Sequence, residues 1–335
     1  MEPDDRRGAP DGGDGEGAAR RPGGEDELIA ALRTSLVPGA GGRPEGEVHL
    51  GDDAAVLRPA RGYALFSVDV LVEGVHFDLS LGSLEDVGWK ALEVNVSDIA
   101  AMGGLPTHAV CGVAARPGLA LEQLFSGLQA SASRHGLALV GGDLSAADRL
   151  FVSVAILGET NATGPVLRSG ARPGDHLWCT GPLGASAAGL ERLRARAAGG
   201  SSVADSGIDA VLRRAYLRPE ARVREGRLAA ELGATAMIDV SDGLARDTGH
   251  LASESGVGLV LDTVPVAPGA TEEQALGGGE DYELVFAAQP EAPVEDAFEA
   301  TGLRVPVLLG RCVEDPTRRE LRGRPLPAAG WVHEL

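Results

Sequence analysis

The chain contains a single lysine, Lys90, and the residue after it is Ala91. That excludes a phosphate-binding loop of the G-x-x-x-x-G-K-[ST] kind, in which lysine and a following hydroxyl meet the phosphates and a cation. The Gly-rich loop and H-R-D signature of protein kinases are missing too. Cysteine is scarce: Cys111, Cys179 and Cys312 are odd in number, far apart and form no C-x-x-C. They read as reduced core thiols, not as a zinc or redox centre. No apolar run approaches the ~18 residues needed to span a membrane. Arg6–Arg7 near the N-terminus has no apolar stretch behind it, so no secretory signal is read there and the cytoplasm is the expected location. Positive charge is outweighed, with a formal net charge of −19. Such a surface repels nucleic-acid phosphates, so no nucleic-acid partner is expected.

What is present is a globular composition, 335 residues with 44% hydrophobic side chains, long enough for two domains with their own cores. Residues 1–25 are mostly Gly, Pro, Asp, Glu and Arg and read as a disordered acidic tail. Leu28, Ile29, Leu32 and Leu36 mark a helical face over Glu25–Leu36, and a Gly/Pro loop over Val37–Glu47 follows. Tyr63–Val70 predicts a buried strand and Leu84–Met102 a helix stopped by Gly103–Gly104. Thr107–Ala114, Leu137–Val140 and Leu150–Leu157 predict strands, with a helix over Leu119–Arg134. A Gly/Pro-rich stretch at Asn161–Asp175 marks the boundary between a 26–160 domain and a 161–335 domain. The second domain reads as strands at His176–Thr180, Thr235–Val240, Gly258–Leu261, Tyr282–Ala287 and Val305–Leu309. An Ala-rich helix after Gly184 and helices at Pro219–Leu232 and Leu244–Ser255 complete it. The expected fold class is α/β of the α+β type, two mixed domains with a site in the cleft between them.

Aspartates gather at the ends of the apolar runs. Asp52–Asp53 and Asp69 flank the first strand, Asn95, Ser97 and Asp98 share the long helix, and Gly141–Gly142–Asp143 and Asp239–Ser241–Asp242 repeat the pattern. Asn95 and Asp98 are three apart and so share a helical face. One such Asp is what a turn or a helix cap uses. Two bare carboxylates about 4 Å apart repel by roughly 4 kcal/mol at an effective dielectric near 20. A hard divalent cation with oxygen ligands removes that cost, so several clusters in one chain look like a cation and phosphate cage.

The motifs GDDAAVL, SVDVLVEGVHF, NVSDIAAMGG, VGGDLS, RSGARPGD, IDVSDGL and GGGEDYEL occur in the order and spacing of the thiamine-monophosphate kinase family. The resemblance runs over about residues 26–335 and places the chain near the aminoimidazole-ribonucleotide-synthetase superfamily of ATP-using enzymes. It implies transfer of the γ-phosphate of ATP to thiamine monophosphate, direct and in line, in a homodimer joined through the N-terminal domain. It implies several magnesium ions on Asp53, Ser67, Asp69, Asp98, Asp143, Asp239 and Asp242. Asp69, Asp143 and Asp242 would stand closest to the chemistry. Asp53, Ser67, Gly142, Asp143, Arg168 and Ser241 would bind ATP. Amides at a helix start are natural donors to its phosphates. His76, Glu280 and Trp331 would meet the substrate, with the indole of Trp331 stacking on a thiazolium or pyrimidine ring. Family members often carry Ser-Thr-Asp where this chain has Ser67–Val68–Asp69, so Val68 contributes only backbone.

Four rivals are weighed at this level, one of them a ribonucleotide-cyclising synthetase of the same superfamily, which lacks a GGGEDYEL segment of this kind. A selenophosphate synthetase needs an N-terminal Cys, and none precedes Cys111. The hydrogenase-maturation sibling ends in a reactive Cys, whereas this chain ends WVHEL. A silent nucleotide- or metal-binding module would share the composition but not turn over ATP. No general base stands out, which suits an acceptor that is already ionised, as a phosphate monoester is at neutral pH.

Overall fold

Leu65, Ser67, Asp69 and Leu71 alternate with Phe66, Val68 and Val70, and that period of two decides which groups the first strand turns inward. In the computed structural model, which describes residues 62–160, 164–199 and 207–331, this strand is β1, Ala64–Val72. Four strands form the first sheet in the order β1-β4-β2-β3, with β2 at Leu105–Ala115, β3 at Ala138–Ala146 and β4 at Phe151–Glu159. β4 is antiparallel to both neighbours and β2 pairs parallel with β3. The sequence reading of a buried strand is therefore half right. β1 is an edge strand, and Phe66, Val68 and Val70 are 70%, 54% and 48% exposed on its outer face. Asp69 sits inside the strand opposite Val154, not at its end. The expected tail, the helix over Glu25–Leu36 and the Asp52–Asp53 pair lie outside the described residues.

Helices α1 (Leu84–Ala101) and α2 (Leu121–His135) cover the inner face. A capping box starts α1, Ser83 and Asp86 each accepting the other's backbone amide. Gly103, at φ 69, stops it. Gly88 and Gly127 lie where α1 and α2 cross, and a Cβ on either would overlap the other helix's backbone. Leu92, Val96, Ile99, Leu124, Leu128, Val154 and Ile156 fill the layer beneath. The same core continues into Met237, Leu284 and Phe286, so α1 lies between the first sheet and a second.

That second sheet has the order β11-β10-β7-β9-β5-β8-β6. Its strands are β5 (His176–Cys179), β6 (Ala236–Asp239), β7 (Gly258–Leu261), β8 (Leu284–Ala288), β9 (Val307–Val313), β10 (Arg319–Leu321) and β11 (Arg324–Pro325). Among the described residues six helices accompany it: α3 (Ala185–Ala197), α4 (Gly207–Leu217), α5 (Val223–Glu231), α6 (Leu244–Ser255), α7 (Glu272–Gly277) and α8 (Val294–Ala300). Leu177, Val240, Leu244, Leu251, Leu259 and Val285 build a second core. The short α7 and α8, and α4 with its Ile208–Leu212–Tyr216 spacing, were not expected from the sequence. Cys111, Cys179 and Cys312 are all buried thiols, as their spacing implied.

One ion pair in this half is buried enough to test. Glu283 is 3% exposed and takes both Arg222 nitrogens at 2.7 and 3.0 Å, with the Thr180 hydroxyl at 2.6 Å. Replacing Arg222 with Met leaves this buried carboxylate only the longer contact to Arg304 Nη1 at 3.4 Å and the Thr180 hydroxyl, and chemical denaturation should show a loss of about 3 kcal/mol. Adding Glu283→Gln should recover part of it, whereas additive losses would show that the pair does not matter.

Candidate active site

Period two in β1 turns Ser67 and Asp69 toward α1, and helical spacing in α1 turns Asn95 and Asp98 to meet them. The Ser67 hydroxyl donates to an Asp98 carboxylate oxygen, and the Asp69 amide donates to Asn95 Oδ1 at 3.0 Å. From the second sheet, Asp239 ends β6, with Ser97 Oγ donating to its Oδ2 at 2.7 Å. Strand, helix and distant strand thus bring three carboxylates to one wall. They are costly there. Asp69 is pushed up to about 6, first by burial and then by the Asp98 charge. Burial also raises Asp98 and Asp239, while the Ser67 and Ser97 hydroxyls oppose the rise. The charge of the exposed Arg168 opposes it as well.

The loop after β6 carries Ser241 and Asp242 into the start of α6. Two of its amides, those of Asp242 and Gly243, are not open to a phosphate. Asp247 Oδ2 accepts the Asp242 and Gly243 N–H groups at 3.0 Å each, and its carboxyl is raised to about 7, chiefly by burial. Asp242 Oδ2 is paired with Arg246 Nε at 3.0 Å.

Residues 280–283 divide by position into two roles. Glu280 and Tyr282 hold left-handed φ values of 56 and 51 and line the cavity. That conformation is uncommon for residues with a Cβ and needs fixing from outside. Backbone bonds from Glu280 N to Ser241 O at 2.7 Å and from Tyr282 N to Val240 O at 3.0 Å supply part of it. Asp281 and Glu283 anchor the loop behind. The Asp281 carboxylate accepts the Gly184 and Ser186 amides at the start of α3 at 2.7 and 3.2 Å, and Glu283 holds Arg222.

These groups surround a cavity of about 540 Å³. Asp69, His76, Asp98, Asp239, Ser241, Asp242, Glu280 and Trp331, all named from sequence, line it together. His76 Nδ1 accepts the Val72 amide at 3.0 Å, so a neutral ring carries its proton on Nε2. Trp331 is 55% exposed, its amide bonded to Asp242 O at 3.0 Å. Ser67 stands one step behind the wall, and Arg168 is not among its lining residues. Gly142 and Asp143 lie apart on β3 and are exposed. Gly141–Gly142 is strand, not helix start, and a Cβ on Gly142 would overlap the Cys111 carbonyl of β2, so close strand packing accounts for that glycine. Asp53 lies outside the described residues. Among the described residues, no three carboxylate, His or Cys side chains already converge as a metal shell. The donors are nevertheless all oxygen and crowded, which fits a hard divalent cation.

Sequence reasoning gave no role to Lys90, Tyr216, Tyr282, Asp247 or the α3 residues Leu190 and Arg194 that close the cavity. Lys90 had a signal, as the one lysine on the helix of Asn95 and Asp98. Tyr216 was hidden with α4. No helix among the described residues is long and apolar enough to cross a membrane.

The chain matches two family models, AIR synthase related protein, N-terminal domain, over residues 51–160, and AIR synthase related protein, C-terminal domain, over residues 172–320. The thiamine-monophosphate kinase of Bacillus subtilis (strain 168) is 35% identical over 288 residues, 82% of this chain and 88% of that protein. The thiamine-monophosphate kinase of Mycobacterium tuberculosis (strain ATCC 25618 / H37Rv) is 36% identical over 300 residues, 84% of each chain. The structure of AaThiL complexed with AMPPCP and TMP is similar with a TM-score of 0.73 and 31% identity, covering 92% of this chain and 95% of that one. The hydrogenase maturation protein HypE of E. coli, 23% identical with a TM-score of 0.69 over 91% of this chain and 98% of that one, shares the fold alone.

Proposed function

The chain belongs to the thiamine-monophosphate kinase family, and from that premise we propose how its residues carry the reaction. It phosphorylates thiamine monophosphate with ATP, giving thiamine diphosphate and ADP. The observation that carries the reading is the convergence of Asp69, Asp98, Asp239 and Asp242, from both sheets, on a cavity that also holds His76, Glu280 and Trp331. An acidic wall beside an aromatic and a carboxylate suits a substrate with a phosphate at one end and a cationic ring at the other.

The transfer is direct and in line, without a phosphoenzyme. Asp69, Asp98, Asp239 and Asp242 would hold magnesium, with Asp53 and Ser67 as further ligands, whereas Asp143, apart on β3, does not join this wall. Bound there, magnesium supplies the positive charge that lets two phosphate groups approach each other. Arg168 offers its guanidinium to the ATP phosphates from the edge of the same cluster. His76, with its proton on Nε2, donates to the acceptor phosphate. Trp331 stacks on the substrate ring and the Glu280 carboxylate faces its amine or cation. The same reading divides the chain near residues 161–175, into a part with Asp69 and Asp98 and a part with Asp239 and Asp242, and places the protein in the cytoplasm. ADP release from ATP and magnesium, comparing thiamine monophosphate, thiamine and aminoimidazole precursors, tests it. Turnover only with an aminoimidazole precursor would sink the kinase reading in favour of a synthetase, and none at all in favour of a silent module.

A homodimer through the first sheet belongs to this proposal. Val68 and Val110 both stand opposite Ala155 in the register, so they share the outer face with Phe66 and Val70. That exposed apolar surface runs from the edge strand β1 to Val110 on the inner strand β2, and natural proteins normally cover such a surface. Val68→Glu should convert a dimer to a monomer in size-exclusion chromatography with light scattering. An unchanged mass would remove this face from the interface.

A further inference from the structure

Lys90 is 3% exposed on α1, and its ammonium reaches three elements of the cavity at once. Nζ lies 2.7 Å from Glu280 Oε1, 3.2 Å from the His76 carbonyl oxygen and 4.0 Å from the centroid of the Tyr216 ring. The Tyr216 hydroxyl donates to the same His76 carbonyl at 3.5 Å. An ion pair whose ammonium is buried and whose carboxylate is 28% exposed adds little over an apolar side chain of similar volume, so fold stability does not account for Lys90. Its partners do. Glu280 stands at a φ of 56, a conformation that surrounding contacts must hold, and Lys90 is the cation fixing its carboxylate.

We propose that Lys90 is a positioning residue for acceptor recognition, acting through Glu280, the His76 turn and Tyr216. The inference rests on the kinase reading above. Lys90 sets one oxygen of Glu280 and neutralises part of the charge of a carboxylate that shares its cavity with four aspartates. It also covers the Tyr216 ring with a cation. A second cation, the heteroaromatic ring of the acceptor, is thereby kept from Tyr216 and directed to the indole of Trp331. Orientation of the acceptor, through Glu280, the His76 turn and Tyr216, is what the ammonium controls.

Steady-state kinetics of the full chain with thiamine monophosphate and ATP tests this. Lys90→Met should raise the acceptor KM by about twentyfold or more while kcat and the ATP KM change by less than about threefold. Lys90→Arg, which keeps the charge, should return the acceptor KM to within about fivefold of wild type. In a Glu280→Gln background, Lys90→Met should add less than about threefold, because its effect runs through that carboxylate. Should Lys90→Met not fold, Lys90→Gln carries the same expected split. An unchanged acceptor KM overturns the inference, and so does a loss shared equally by ATP and acceptor or fully additive with Glu280→Gln. A wild-type enzyme that transfers nothing to thiamine monophosphate overturns the kinase reading itself, which is a different result from a working wild type beside an unaffected Lys90→Met enzyme.

Discussion

Asp69→Asn is expected to lower kcat by at least about a hundredfold at saturating magnesium and to leave the fold intact. Asp69 is an inward residue of β1, its amide tied to Asn95 Oδ1 at 3.0 Å, so the amide side chain of the variant enters the same place without moving backbone. What changes is charge. The carboxyl is held up near 6 by burial and by Asp98, so in the metal-free protein its ionised form is resisted. An acid raised in the folded state destabilises the fold as pH rises from its unfolded value toward the folded one, and that cost is fully present above the folded value. The variant escapes it. Metal-free Asp69→Asn should therefore melt at or above the wild-type temperature at pH 8, with no such gain at pH 4, below the folded value. Circular dichroism melts with a chelator present, at both pH values, check this, and kinetics check the turnover. Near-wild-type turnover, or a large fall in melting temperature at pH 8, would remove Asp69 from the cation site.

Much of the fold was legible because local signals agreed with it. Leu244–Ser255 and Gly258–Leu261 were read to the residue, and α1 ended at the Gly103–Gly104 stop. Short helices such as α7 and α8 carry too few turns for periodicity to register. The exposed face of β1 was missed because Phe66, Val68 and Val70 have the side chains of a core strand, and only the sheet order puts them at an edge. The candidate site was legible as a set of motifs, and Asp69, Asp98, Asp239 and Asp242 do meet around one cavity. How they are held was not legible. Asp281 gripping the start of α3 and Lys90 against Glu280 are long-range pairings that a linear spacing does not encode. Asp247 closing the amides of residues 242 and 243, though local, depends on the turn that opens α6.

With thiamine in place of thiamine monophosphate, transfer is expected to fall by on the order of a thousandfold or more. Thiamine presents an alcohol, which reacts only if a base removes its proton during transfer. Among the described residues the cavity's candidates are otherwise engaged, the lining Glu191 by accepting Gln274 Nε2 at 2.8 Å. His76 spends Nδ1 on the Val72 amide and so holds its proton on Nε2, which makes it a donor to an anion. Glu280 is tied to Lys90 at 2.7 Å, and Asp242 to Arg246 at 3.0 Å. Asp69, Asp98 and Asp239 form the wall proposed for the cations, where a carboxylate that bound a proton would cease to be a ligand. The monophosphate needs none of this, since its oxygen is already ionised, and its phosphate also gives His76 and the cations something to orient. The comparison is made by ADP release at matched, saturating concentrations, with diphosphate formation followed chromatographically so that ATP hydrolysis is not mistaken for transfer. Formation of thiamine monophosphate from thiamine at a rate near that of the diphosphate reaction would mean that one of these carboxylates serves as a base, and the assignment of that wall to cations would then fail.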